Sequence, residues 1–343
     1  MMRPRVRRAL GVGVAAAVAV TVALPATAAQ ADDAVAVLQR ARTATVREDF
    51  SGTVQIEWLV GGGWKSEKVP VSATGGTVQV GEGTRQVEGK GHDRWIAGVS
   101  GWQAGWDQPA TLGVPSPAKH WKLSVAKGPD VAGRTTTVVT ATDPRTHVPR
   151  LRESVDRATG VLLRREVLDR AGRPVRAVGF VEVQKLGGPR STPPTTPARA
   201  RRSAPRAPKL VGALPSGYVA PRTVADRYVL TGRYERADGT AQLYYTDGLF
   251  GVSVFEQDGD LDWAGLPKGG GANSVLSGQG REYQVAGGTV EVWSHDGVTR
   301  TLVSDLPAPD LSDFARAFDA RSDAAGGLLG DAADFLLGPF GWR

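Results

Sequence analysis

The chain has 343 residues, 41% of them hydrophobic and 22% charged, and no cysteine. That length allows two domains of ordinary size, each large enough to bury a core. The missing cysteine excludes disulfides, Cys-ligated zinc, iron–sulfur clusters, Cys nucleophiles and a lipid-modified N-terminal Cys.

In chain order, Arg3, Arg5, Arg7 and Arg8 precede an uncharged run over residues 9–24. Ala26-Thr27-Ala28 and Ala29-Gln30-Ala31 follow it. Charge, a short apolar stretch and then small residues make residues 1–31 a secretory signal peptide. The run is shorter than the ~20 residues of a spanning helix. An uncleaved N-terminal anchor is the alternative, and Arg7-Arg8 leaves twin-arginine export open. The expectation is an exported protein, periplasmic or otherwise extracytoplasmic, and not lipid-anchored.

Residues 32–186 read as the first domain. Asp32 or Asp33 caps a helix on which Ala34, Val37, Leu38, Ala41 and Thr45 recur at helical spacing. Strands over 50–60 and 64–73 flank Gly61-Gly62-Gly63 as a hairpin. Gly75-Gly76, Gly81-Glu82-Gly83 and Gly89-Lys90-Gly91 punctuate further short strands. A β-branched strand over 135–142 ends at Asp143-Pro144. Strands over 151–156, 161–168 and 175–185 form a meander with turns at Thr159-Gly160 and Ala171-Gly172. Short turns require antiparallel pairing, in a sheet long enough to curl around one or two helices. Trp95, Trp102, Trp106 and Trp121 fall in one Gly-rich stretch. Such tryptophans line an apolar cavity or an interface, or they fill the core. They are the candidate ligand-binding residues.

Residues 187–209 are rich in Pro, Thr and Arg and form an extended linker. Residues 210–325 read as a second, smaller β-rich domain. Its strands run over 228–235, 241–246, 249–257, 281–286, 289–294 and 298–304. Gly287-Gly288 and Asp296-Gly297 mark hairpins. A helix over 310–320 carries Leu311, Phe314, Ala315 and Phe318 on one face. Residues 326–343 are an apolar tail expected to dock on the sheet.

The formal charge of +7 is concentrated in two segments. The leader holds four arginines and the linker five arginines and Lys209, with no acid in either, so the remainder carries −3. A nucleic-acid reader keeps its basic patch on the folded surface, so nucleic acid is excluded as a partner. No dinucleotide loop, Walker A motif or Gly-x-Ser-x-Gly elbow is present. His92, His120, His147 and His295 are far apart in the chain. Asp258-Gly259-Asp260-Leu261-Asp262 starts like a calcium loop. It lacks the later glycine and acid, which makes it a turn. The sequence therefore points to no enzyme, no catalytic residue, no metal site and no cofactor.

Leu214-Pro215-Ser216-Gly217-Tyr218 opens the second domain, and Leu243-Tyr244-Tyr245-Thr246-Asp247-Gly248-Leu249-Phe250-Gly251-Val252-Ser253-Val254-Phe255 follows. This pair resembles the MucB/RseB family of envelope-stress sigma-factor regulators, with Thr246 where that family usually has Ser. Phe50-Ser51-Gly52-Thr53, residues 156–166, Asp169 and Gly172 resemble strands of the same family and of the related lipoprotein carriers LolA and LolB. The resemblance spans residues 32–320. It implies a mainly β (α+β) protein: an N-terminal curved antiparallel half-barrel with inner helices, plus a smaller β-rich C-terminal domain with a helix. It also implies binding to the extracytoplasmic part of a membrane-spanning anti-sigma factor, near the membrane. The resemblance further implies that binding shields that partner from a site-one protease, and that a lipid or lipoprotein ligand relieves the shielding. Tyr244, Tyr245, Asp247 and Phe250 are the candidate partner-binding residues. A lipid or lipoprotein carrier is the alternative function.

Overall fold

The computed structural model describes residues 28–74, 77–80, 87–90, 114–188, 209–211, 214, 218–236, 239–273 and 280–320. They form two antiparallel sheets, neither closed, and two α-helices. The chain is thus mainly β with a C-terminal helix, as the sequence leads one to expect. Among the described residues no helix is long and apolar enough to cross a membrane.

The first sheet contains β1 (Phe50–Val60), β2 (Gly63–Thr74), β3 (Thr77–Val80), β4 (Val87–Lys90), β5 (Lys122–Lys127), β6 (Thr136–Thr142), β7 (Pro149–Asp156), β8 (Leu162–Leu168) and β9 (Pro174–Leu186). Its order is β4-β3-β2-β1-β9-β8-β7-β6-β5. Two meanders are therefore stitched together where β9 returns beside β1. The period-2 pattern decides which face is buried. In β1, Gly52, Val54 and Ile56 are buried while Ser51, Thr53 and Gln55 are half-buried. Gly61 and Gly62 take φ +58° and +80° between β1 and β2, the left-handed pair that a two-residue hairpin needs.

Helix α1 (Ala28–Arg47) packs against β5, β6 and β8. It starts before the expected cap, so Asp32 and Asp33 lie inside it and do not terminate it. The preceding Ala28-Ala29-Gln30-Ala31 consists of good helix formers, which extend the helix past both acids. Of the inner helices expected under this sheet, the described residues contain α1.

The second sheet contains β10 (Lys209–Leu210), β11 (Thr223–Val224), β12 (Tyr228–Glu235), β13 (Ala241–Thr246), β14 (Gly251–Asp258), β15 (Gly271–Asn273), β16 (Gly280–Val285), β17 (Gly288–His295) and β18 (Val298–Ser304). Its order is β10-β12-β13-β14-β18-β17-β16-β15, with β11 on the flank of β12. Strand β14 starts at Gly251, two residues later than expected, because Leu249 and Phe250 belong to the preceding turn. Helix α2 (Ala308–Asp319) lays Phe314 and Phe318 against Tyr245, with ring centroids 5.5 and 6.0 Å away.

One apolar cluster runs through both sheets. It joins Leu38 of α1, Leu123, Val139, Leu151 and Val167 of the first sheet to Leu243, Tyr245, Val254, Trp293, Phe314 and Phe318. A second cluster lies between the lower half of α1 and the first sheet, around Ala41, Phe50, Val54, Ile56, Val155, Val178 and Phe180. The largest contiguous core therefore belongs to neither sheet alone.

Candidate functional site

The turn between β13 and β14 is built by its own side chains. The Asp247 carboxylate Oδ1 accepts the backbone N–H groups of Leu249 and Phe250 at 3.0 and 2.9 Å, the local capping that suits Asp to turns. The Thr246 hydroxyl donates to the Phe250 carbonyl at 2.8 Å, and its oxygen accepts the Gly248 N–H at 3.0 Å. Gly248 takes φ +95°. A Cβ there would lie 2.5 Å from the Pro115 carbonyl oxygen and 2.9 Å from Pro117 N. Glycine is required both by conformation and by the close approach of the segment leading into β5.

That approach makes the turn a junction between the sheets. The other Asp247 oxygen, Oδ2, accepts Trp121 Nε1 at 3.0 Å and Arg227 Nε at 2.7 Å. The Arg227 guanidinium lies 3.8 Å over the Trp121 ring, and that ring packs on Phe250 with centroids 5.5 Å apart. Arg42 of α1 donates to the Gly248 carbonyl. Arg227 follows Ala225 and Asp226, which hold φ +49° and +53° in the tight β11–β12 turn. That turn places the guanidinium over the tryptophan.

A buried ionic chain continues the junction. Arg165 of β8 pairs with Glu153 of β7 and with Asp305 just after β18, and it donates to the Leu249 carbonyl at 2.9 Å. Asp305 Oδ1 also accepts the Gly251 N–H at 3.3 Å. Burial pushes the Glu153 and Asp305 carboxyls up, against the pull of Arg165. Burial alone would lower the Arg165 guanidinium. Asp305 and then Glu153 outweigh it and hold it above its ordinary value. Nearby, Arg150 and Arg170 of the first sheet's meander reach Asp310 in the first turn of α2 at 2.5 and 3.0 Å.

The structure brings the sequence-derived partner residues together here, but inside the protein. Tyr244, Tyr245, Asp247 and Phe250 are all 1% exposed or less. The Tyr245 hydroxyl donates to the Pro221 carbonyl at 2.9 Å. Of the ligand residues, Trp121 is buried in the same junction, and Trp95, Trp102 and Trp106 lie outside the described residues. Sequence reasoning missed Arg42, Glu153, Arg165, Arg227 and Asp305. For Glu153 and Arg165 the one advance signal was a charge within an otherwise strand-like segment; Arg42 on α1, Arg227 in the β11–β12 turn and Asp305 after β18 carried none. Among the described residues no group of three His, Asp or Glu is placed to hold a metal. The Asp258–Asp262 segment leaves β14, where Gly259 N–H bonds the Gly297 carbonyl at 2.6 Å.

No family model and no curated protein sequence matches the chain. Among solved structures it is similar to the Pseudomonas aeruginosa MucA/MucB complex, at 21% identity over 88% of this chain and 100% of that one, with a TM-score of 0.45. It is also similar to MucB alone, at 21% identity over 84% of this chain and 97% of that one, with a TM-score of 0.46. A third likeness, to MucB in complex with MucA(peri), has 21% identity over 83% of this chain and 97% of that one, with a TM-score of 0.42. What this chain is similar to, along most of its length, is MucB.

Proposed function

We propose that the chain is an exported regulatory binding protein that holds the extracytoplasmic part of a membrane-spanning anti-sigma factor and so modulates an envelope-stress sigma factor. One observation carries this reading. The Leu243–Phe255 block, one of the segments that carry the family resemblance, forms most of β13, the buried Asp247-Gly248 turn and the start of β14, and the two sheets meet on that turn. The resemblance thus extends to residues that set how the two sheets meet, and a partner spanning both would read that arrangement. Tyr244, Tyr245, Asp247 and Phe250 then act on partner binding through the junction and not by touching the partner. The partner class is that of the resemblance, and MucB has been solved with MucA.

A lipid-carrier role predicts a dry pocket lined by residues such as Trp95, Trp102 and Trp121, of which Trp95 and Trp102 lie outside the described residues. The Trp121 ring is sandwiched between Arg227 and Phe250, with its N–H on Asp247.

The test is binding of the mature chain to purified extracytoplasmic segments of single-pass anti-sigma factors from the same cell, measured by calorimetry. Saturable one-to-one binding is expected, weakened at least tenfold by Asp247→Ala in protein that remains folded. Absence of binding to every such segment, with unchanged sigma-factor output when the gene is deleted, would overturn the proposal.

A further inference from the structure

Strand β2 has an open edge along its first half. On the side away from β1, Val71–Thr74 pair with β3, and among the described residues no strand pairs with Gly63–Pro70. Gly63–Lys68 are all exposed, and Trp64 keeps 54% of its surface in solvent. An open strand edge is a template for another chain.

The hairpin decides which backbone groups are free. Its flanking pair, Val60 and Gly63, closes the two-residue turn with hydrogen bonds, and bonded pairs alternate from there. Lys65, Glu67 and Val69 therefore bond back to β1, opposite Trp58, Ile56 and Val54. Trp64, Ser66 and Lys68 turn their N–H and C=O groups outward. Thr74 shares their parity and closes the β2–β3 hairpin opposite Thr77, as this alternation requires. Pro70 shares the parity too, but it has no N–H, so the open ladder ends there. Side chains alternate as well, with Trp64, Ser66 and Lys68 on one face and Lys65 and Glu67 on the other.

We propose that two copies of this chain pair their β2 edges antiparallel, about a two-fold axis at Ser66. The outward groups must face one another, which allows registers centred on Lys65, Ser66 or Glu67. Centring on Lys65 sets two lysines opposite each other, and centring on Glu67 sets two glutamates. Centring on Ser66 sets Lys65 opposite the second copy's Glu67, and Glu67 opposite its Lys65. These are the non-hydrogen-bonded positions, where side chains approach most closely. On the other face, Trp64 lies opposite the second copy's Lys68, which suits a cation–π contact. Lysine and proline on an edge commonly oppose such pairing. Here Pro70 bounds the ladder, and each lysine gains an acid or an indole. The contact is isologous, so it closes at a dimer. So short a ladder buries less surface than a permanent dimer needs, so the dimer is weak and concentration-dependent. It uses none of the seam residues and is independent of the anti-sigma-factor reading.

The test is sedimentation velocity of the mature chain at low ionic strength, over concentrations up to about 1 mM. Monomer and dimer in exchange, with nothing larger, are expected. Lys65→Glu opposes like charges at both symmetry-related positions and is expected to weaken the dimer about tenfold or more. Adding Glu67→Lys reverses both signs together and is expected to restore it. Ser66→Pro removes an outward N–H and leaves the hairpin's own bonds in place, so loss of the dimer is expected. If Ser66→Pro does not fold, the charge reversal and its rescue decide. A monomer at every concentration would overturn the proposal. So would a dimer equally strong in folded Lys65→Glu protein, or one that Glu67→Lys fails to restore.

Discussion

At the scale of single residues, the chain places charge where burial makes it expensive. Glu256 of β14 lies directly across from Arg300 of β18, with Oε1 3.2 Å from Arg300 Nε and Oε2 accepting the Val219 N–H at 3.1 Å. Burial still wins over Arg300 and pushes the carboxyl from an ordinary 4.5 up to about 7. The sign follows from linkage. A carboxyl with a raised folded value favours the fold when protonated. That contribution is complete below the unfolded value and is lost as pH rises through about 7. The native chain should therefore lose about 3 kcal/mol relative to Glu256→Gln between pH 4 and pH 8. Urea unfolding across that range measures it, and a difference that is flat or of opposite slope would count against the assignment. The Asp247-Gly248 turn was legible in the sequence as a turn, because Asp and Gly have the right local chemistry. Its partners were not. Arg42 and Trp121 are 206 and 126 residues away in sequence from the atoms they bond, and no local pattern encodes that distance.

At the scale of elements, legibility follows the strength of the punctuation. Strands β12, β13 and β18 run as read from the sequence, and Asp296-Gly297 turns between β17 and β18 with φ +53° and +70°. Each is bounded by residues that only a turn accommodates well. Strand β5 was missed because Lys122-Leu123-Ser124-Val125-Ala126-Lys127 offers two large apolar residues in six and a lysine at each end. It forms because β6 pairs with it and α1 packs on it. Strands β10 and β11 have two residues each, too few for any period. Helix α2 was legible from its apolar face, and that face is its main attachment: Leu311, Phe314, Ala315 and Phe318 are all fully buried. Phe314 touches Tyr228, Tyr245 and Phe318 with centroids 5.3, 5.5 and 6.2 Å away. Phe314→Ala should cost about 3–5 kcal/mol, seen as a lower urea midpoint with unchanged slope. A loss below about 1 kcal/mol would mean that α2 is not anchored as described.

At the scale of the molecule, the sequence divides the chain at a Pro/Arg-rich segment, and the structure joins what lies on either side. The shared apolar cluster, the Asp247 turn and the Glu153–Arg165–Asp305 chain all cross the same seam. Removing Arg165 leaves two buried carboxylates without their cation, a change that typically costs about 3–5 kcal/mol. That cost falls on the seam and not on either sheet's own strands. If the Leu243–Phe255 block works as this seam, neither sheet is stable without the other. Scanning calorimetry of the mature chain tests it most directly. One cooperative transition is expected in the native chain, separating into two, or moving sharply down, in Arg165→Met. Two well-separated transitions in the native chain, insensitive to Arg165→Met, would contradict it.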